Sequence, residues 1–392
     1  MPLVHMPLSQ HVGPSATAVV SPDEKVKRGQ LLAKPEGLGA KIHAGVSGRV
    51  REVTETEIVL DAHAEQTGAY EPIPETHDPW EAIEEAGIVG AGGAGFPSHV
   101  KLKADMSDGL VIANGSECEP LLQHNTNFME ENPEVVVRGL KYLQEITGAP
   151  RACIAIKEKN RKAVHLLRRV CEAEKDISLH LLPDMYPAGD ERVVVREVIG
   201  EELAPGQLPQ EQGALVHNVE TIKRMVEAVE ERKPFIDKDL TVAGRVNDAP
   251  RGRVFMDVPV GTPVGELIEA CGDYRRPYGE IVLGGPYTGV RGSHFSPVTK
   301  FSGGVLVSMP FPRDNRNMGI VSCECGAQEE RLKEIAQDMG ATVMAESRCK
   351  RMVEVNGRYR CDKPGVCPGQ AETVMQLKKK NVQVLLTGSC GE

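Results

Sequence analysis

The run Gly90-Ala91-Gly92-Gly93-Ala94-Gly95-Phe96-Pro97, followed by Lys101, constrains this 392-residue chain more than any other segment. Four glycines in six residues strip side chains from a turn, so main-chain N–H groups can approach a ligand closely. One short predicted strand further on, Asn114-Gly115-Ser116-Glu117-Cys118-Glu119-Pro120 supplies amide and carboxylate groups. Glycine amides and Lys101 suit a phosphate, and the amide and acidic groups suit a ribityl chain and a polar ring. The pair reads as a cradle for flavin mononucleotide (FMN). Tight turns and close helix packing draw on the same residues, which is the competing structural reading. A dinucleotide fingerprint is excluded: the predicted strand 111–113 follows the loop, and no acidic residue closes a βαβ unit at the expected distance.

Charge and composition narrow the function classes. Aromatic residues make up 4% of the chain, which disfavours base-stacking surfaces, and a net charge of −10 disfavours phosphate backbones. Nucleic-acid binding is therefore not expected. No stretch approaches the length of a membrane span, and the first ten residues lack a basic start and an apolar core. A reducing cytoplasm is the expected compartment, in which the ten cysteines are redox-active or metal-ligating and not paired in disulfides. Six of those ten follow Ser322, which marks the carboxy-terminal segment as chemically distinct.

The patterning predicts a multi-domain α/β protein. Residues 1–66 read as short strands broken by dense turn signals, and 67–79 as a polar connector. Residues 78–235 alternate between predicted helices (80–86, 130–146, 161–173, 190–199, 218–229) and strands (111–113, 153–156, 179–182). Asn218 is placed as an N-cap. Residues 237–310 suggest a compact β-grasp module, and 317–392 two βαβ steps interrupted by a cysteine-rich insertion at 349–368.

The turns that flank these elements, 90–101, 114–120, 186–191 and 218–221, form a set. It resembles the flavin-binding subunit of respiratory NADH dehydrogenase, and more closely the RnfC family of electron-transfer proteins, whose module order also matches. The resemblance covers about residues 10 to 310. It implies an amino-terminal barrel-sandwich hybrid, a Rossmann-like flavin domain, and a soluble-ligand-binding (SLBB) β-grasp domain carrying Gly284-Gly285-Pro286. Carried over by position, it implies FMN contacts at Gly90, Gly92, Gly93, Lys101, Asn114, Glu117, Gly189, Asp190, Asn218 and Thr221. It implies an NADH face at Phe96, Glu119 and Glu191. Ala91 and Ser116 stand where dehydrogenase-type members carry an arginine and an aspartate, which leaves this pocket less charged.

The carboxy-terminal cysteines depart from the RnfC pattern, because no Cys-x-x-Cys-x-x-Cys-x-x-x-Cys-Pro run occurs after Ser322. Instead Cys323 and Cys325 follow one predicted strand, Cys349 the next and Cys390 a third. In a parallel sheet these ends share one edge, and Cys361 and Cys367 can fold over them. Three readings stay open: redox thiols, an iron–sulfur cluster, or a structural zinc. For the first, Cys325 is expected to have a lowered pKa just before a helix beginning at Ala327. The histidines are scattered, and none pairs at His-x-x-x-His spacing. A chain ending directly after a predicted strand raises the expectation of a reading frame cut at a UGA selenocysteine codon beyond Glu392. The arrangement looks like that of RnfC-like proteins associated with proline reductase.

The functional expectation is a cytoplasmic NADH-linked flavoprotein. Electrons pass through FMN and then Cys323, Cys325, Cys349 and Cys390 to a partner reductase such as proline reductase. Two alternatives accompany it. One is an RnfC-type FMN and iron–sulfur subunit, peripheral to a membrane ion-translocating complex. The other is a non-enzymatic ligand-binding scaffold with a degenerate flavin pocket.

Overall fold

The computed structural model describes residues 3–388. Its amino-terminal part holds two small antiparallel sheets. One orders Leu3–Pro7, Glu57–Ala62, Gly48–Val53 and Lys25–Val26; the other orders Thr17–Ala18, Leu31–Lys34 and Ile42–His43. Alternation along Leu3–Pro7 turns Val4 and Met6 inward, where they meet Leu32, Ile42, Ile58 and Leu60. Val260 of a later strand end joins the same core, so this module is not packed in isolation.

A four-stranded parallel sheet follows, in the order Ile177–Leu182, Arg151–Lys157, Leu110–Asn114, Ala214–Asn218. Its central strands are buried on both faces. Val111 and Ala113 face a large core shared with helices Pro79–Glu85, Pro133–Thr147, Arg161–Cys171 and Val219–Glu231, while Ile112 faces helix Glu191–Ile199. In register, Asn114 lies opposite Ala155 on one side and Asn218 on the other. These carboxy-terminal strand ends are where open parallel sheets collect ligands. The predicted helix 130–146 is two helices, His124–Glu131 and Pro133–Thr147. Pro133 has no N–H to donate and disfavours α geometry at Asn132, whose φ is −137° and ψ 55°.

A five-stranded sheet comes next, in the order Arg253–Pro259, Asp237–Gly244, Gly304–Val307, Ile281–Leu283 and Val290–Gly292, with helix Val264–Ala270 packed on it. It is joined to the flavin-type sheet by buried charge. Arg224, on helix Val219–Glu231, donates to Asp239 at 2.7 Å, Asp257 at 2.8 Å and Glu227 at 2.9 Å, and lies 3.4 Å from Glu220. Lys223 binds Asp239 and Asp257, and Lys238 binds Glu220. Fully buried Lys300 ties three modules together, donating to Lys41 O at 2.6 Å and Gly87 O at 2.8 Å.

The last domain is a parallel three-stranded sheet, Thr342–Arg348, Asn317–Ser322, Val384–Thr387, with helices Glu329–Met339 and Ala371–Lys378. A hairpin of Met352–Val355 and Arg358–Cys361 projects from it. Cys390 lies outside the described residues.

Candidate flavin site

The glycine run closes on itself before it reaches any ligand. Gly90 N–H donates to Phe96 O at 2.9 Å, and Gly95 N–H to Gly90 O at 3.0 Å. Ala91 N–H donates to Thr221 Oγ1 at 2.9 Å, which pins the turn to the first turn of helix Val219–Glu231. These bonds leave Gly92, Gly93 and Ala94 exposed at the mouth of a cavity of about 330 Å³. Gly93 has φ +102°, and a Cβ there would meet no atom within 4 Å. Only glycine takes that backbone without strain, and its open side faces the space a ligand would fill.

Twelve of the thirteen residues named from the sequence line this one cavity. They are Gly90, Gly92, Gly93, Phe96, Lys101, Asn114, Glu117, Glu119, Gly189, Glu191, Asn218 and Thr221. The size suits a ligand pocket. Asp190 is the exception. Its carboxylate caps helix Glu191–Ile199 by accepting from Arg192 N–H at 2.9 Å, and it pairs with the Arg192 guanidinium. A helix-capping aspartate one residue from the pocket has its oxygens committed elsewhere.

Several lining groups are held by the protein itself. Asn114 Nδ2 donates to Gly189 O at 2.9 Å, and its Oδ1 accepts from Ser116 N–H at 3.0 Å, so it fixes the walls. Glu117 is buried and accepts from the amides of Asn125 and Thr126 at the start of helix His124–Glu131, and from Thr126 Oγ1. Glu117 is therefore not a solvated loop charge. Glu119 accepts from Tyr287 N–H at 2.9 Å, Thr288 N–H at 3.0 Å and Thr288 Oγ1 at 2.5 Å, and Tyr186 Oη lies 3.5 Å away. A Cβ on Gly285 would fall 2.2 Å from that carboxylate. Glu119 is therefore a clamp on the 284–288 turn, its acceptors used by the protein. Lys101 Nζ donates to Val216 O at 2.7 Å and to Glu191, leaving one of its three N–H donors for a ligand.

Other groups were not predicted as ligand contacts. Ser98, Ser116, Asn125 and His217 also line the cavity, and their Oγ, Oγ, Oδ1 and Nε2 atoms have no hydrogen-bond partner among the described residues. Burial, then Lys101, pushes the His217 imidazole well below its usual pKa, so it is neutral and offers either a donor or an acceptor. Four buried orphan atoms in one cavity are the mark of a site built for a polar guest. They fit a flavin nucleotide, whose phosphate, ribityl hydroxyls and ring carbonyls need such partners. Ser116 was placed in the pocket only by resemblance and Asn125 not at all, because nothing local in sequence shows that their side chains are dry.

Replacing Thr221 with valine keeps the shape but leaves the buried Ala91 N–H without an acceptor, a cost of about 1–3 kcal/mol. We expect roughly tenfold weaker FMN binding or more, read by flavin fluorescence titration.

The carboxy-terminal thiols are brought together as the parallel strand ends require. Cys323, Cys325, Cys349, Cys361 and Cys367 line one small void, and the Cys323 and Cys325 sulfurs are 3.7 Å apart. The expectation of an acidic Cys325 is overturned. Its hydrogen bond to Cys323, followed by burial, pushes the thiol up, and the helix begins at Glu329, four residues away. Burial raises Cys361 to about 11. The void sits against the flavin-type domain: Tyr186 Oη donates to Cys325 O at 2.5 Å, and Arg192 donates to Cys361 O at 2.7 Å and Glu324 at 2.8 Å.

Comparison with known proteins places this geometry. Residues 83–227 match the Nuo51 FMN-binding domain, and residues 2–68 match the RnfC barrel sandwich hybrid domain. A component of the proton-translocating ferredoxin:NAD(+) oxidoreductase complex of Clostridium ljungdahlii is 33% identical over 325 residues, covering 77% of this chain and 70% of that one. The chain belongs to the RnfC family.

A component of the ion-translocating oxidoreductase complex of Rhodobacter capsulatus is 33% identical over 78% of this chain and 62% of its own length. The cobalamin reductase PduS of Salmonella typhimurium is 39% identical over 58% of this chain and 49% of its own. The chain thus spans between about half and about two thirds of the length of these relatives. An NAD+-reducing [NiFe]-hydrogenase in the H2-reduced state shares the fold, with TM-score 0.50 and 20% identity over 59% of this chain and 47% of that one. The protein is a multi-domain α/β member of an electron-transfer oxidoreductase family with an FMN-binding domain. Among the described residues, no helix is long and apolar enough to cross a membrane.

Proposed function

We propose that this RnfC-family chain is a flavin subunit that carries electrons between NADH and an electron-transfer complex of the ion-translocating oxidoreductase kind. The supporting observation is the cavity itself: residues from four separated turns line it, and four of its buried polar atoms lack a partner among the described residues. When bound, FMN would take one hydride, that is two electrons with a proton, from NADH and release the electrons singly. The chain's own part is positional. The 92–94 amides and Lys101 would hold the phosphate end, while Ser116, Asn125 and His217 would meet polar atoms of the ribityl chain and ring. Phe96 would offer a face for the nicotinamide. The relatives' names support this reading, since they belong to ferredoxin:NAD(+) and ion-translocating oxidoreductase complexes.

A second reading keeps the same pocket and changes the recipient: a partner reductase such as proline reductase, reached through the carboxy-terminal cysteines. It is favoured by the cysteine-lined void docked on the flavin-type domain in place of a ferredoxin-like run. Protein reconstituted with FMN and mixed anaerobically with NADH should lose its yellow absorbance within the mixing experiment. A protein that binds no FMN, or whose bound FMN is not bleached by NADH, would overturn the proposal. Pull-down from native cells separates the two recipients, membrane-complex proteins in one case and a soluble reductase in the other.

A further inference from the structure

We propose that the carboxy-terminal domain binds a single zinc or iron ion in a mononuclear thiolate site formed by Cys323 and Cys325 with two of the thiols of Cys349, Cys361 and Cys367. The inference rests on this domain alone and stands whether or not the flavin reading holds.

Five cysteines from three separate stretches of chain surround a void of about 20 Å³. A space of that size takes one water-sized body. Thiolate sulfurs about 2.3 Å from a shared tetrahedral ion stand roughly 3.8 Å from each other. The Cys323 and Cys325 sulfurs are 3.7 Å apart. Sulfurs bound to different irons of a cluster stand farther apart than sulfurs sharing one ion, and a cluster with its sulfides would overfill this void. A mononuclear centre is the match, and all-sulfur tetrahedral coordination selects zinc or iron.

The domain's apolar core is also small. Its two core clusters contain three buried residues each, Ile320, Ala327 and Leu332 in one and Val321, Ala345 and Leu377 in the other. Small cores of this kind generally need a staple. In the hairpin of Met352–Val355 and Arg358–Cys361, Cys361 is the one buried residue. Besides Arg348 over the Tyr359 ring, the hairpin is fixed at its cysteine end, where Glu324 accepts from Cys361 N–H at 2.5 Å.

The surroundings are those of a ligand shell. Gln370 Nε2 donates to Cys349 Sγ at 3.1 Å, and the Lys363 amide donates to Cys361 Sγ. N–H donors on sulfur orient metal-bound thiolates and stabilise their charge. Among the described residues, no three of these side chains yet stand in finished metal-binding geometry. Rotation of a cysteine χ1 between staggered wells carries its sulfur across the void while the backbone stays in place, and ion binding would select that arrangement.

The test is metal analysis of the full chain, expressed with zinc and iron supplied and purified anaerobically without chelator. About one zinc or iron per chain, with no acid-labile sulfide, is the expected result, and it should be the same in flavin-free and flavin-loaded protein. Iron would show thiolate charge-transfer colour that dithionite bleaches; zinc would be colourless. The variants Cys325→Ser and Cys361→Ser should lose the ion, while Cys271→Ser, in another domain, should keep it. If those variants fail to fold, Co2+ added to metal-free wild-type protein supplies an independent reading through the intense visible bands of tetrahedral cobalt thiolate. No metal above background and no cobalt bands, or several acid-labile sulfides per chain, would overturn the proposal.

Discussion

Replacing Arg224 with methionine should destabilise the junction between the flavin-type domain and the five-stranded sheet by about 3–5 kcal/mol. Arg224, Glu220 and Asp239 are all 1% exposed, so none can turn to water when its partner leaves. In the wild type, Arg224, Lys223 and Lys238 face Glu220, Asp239 and Asp257, while Lys233 sits near Glu227. Removing one cation leaves an uncompensated carboxylate in a dry site, and methionine supplies only the aliphatic volume. The Asp239 carboxyl illustrates the dependence: burial alone would raise its pKa, but Arg224 and Lys223 hold it far below the carboxylate range. Urea unfolding followed by the fluorescence of Trp80 reads this directly, since its helix Pro79–Glu85 packs on the helix bearing Arg224. A shift under about 1 kcal/mol would mean that the network is wet, as exposed ion pairs are.

Stability should fall steeply as pH drops from about 6.5 towards 4. His43, His124 and His217 are buried, and desolvation lowers all three, His124 to about 4 and the others well below 6.5. The unfolded chain takes up these protons near 6.5, before the folded one does. Stability therefore rises with pH across this window and is lost as pH falls through it. For His124 alone the difference amounts to about 3 kcal/mol. Its Nδ1 lies 3.1 Å from Glu117 and its Nε2 accepts from Asn125 Nδ2 at 3.3 Å, which holds the neutral tautomer in the pocket wall. Lys300, pushed down to about 7 by burial, extends the same sign upward: stability should keep rising between pH 7 and 10. Denaturant midpoints measured from pH 4.5 to 9.5 test both windows, and His124→Gln should flatten the acid limb. A flat profile would show that these imidazoles are hydrated.

Much of the pocket was legible in the chain because its signals are local. Glycines where φ must be positive or a Cβ would block the approach, a lysine one turn on, and polar residues at strand ends are each fixed by neighbours in sequence. The strand 214–218 was missed for the opposite reason: five residues with little alternation become a strand only by pairing with Leu110–Asn114. Asp190 falls outside the cavity lining, and a capping aspartate and a ligand-facing one look alike until the direction of the side chain is known.

The sequence by itself determined the alternation of modules, the glycine turn and the family's residue types, since hydrophobic period and turn chemistry act over a few residues. Tertiary structure alone decided which polar atoms are dry and unpartnered, and that Glu119 grips Thr288 from another module. Burial and long-range approach are properties of the assembled chain. They set the cost of every unpaired charge and the reactivity of every thiol, and no local window contains them.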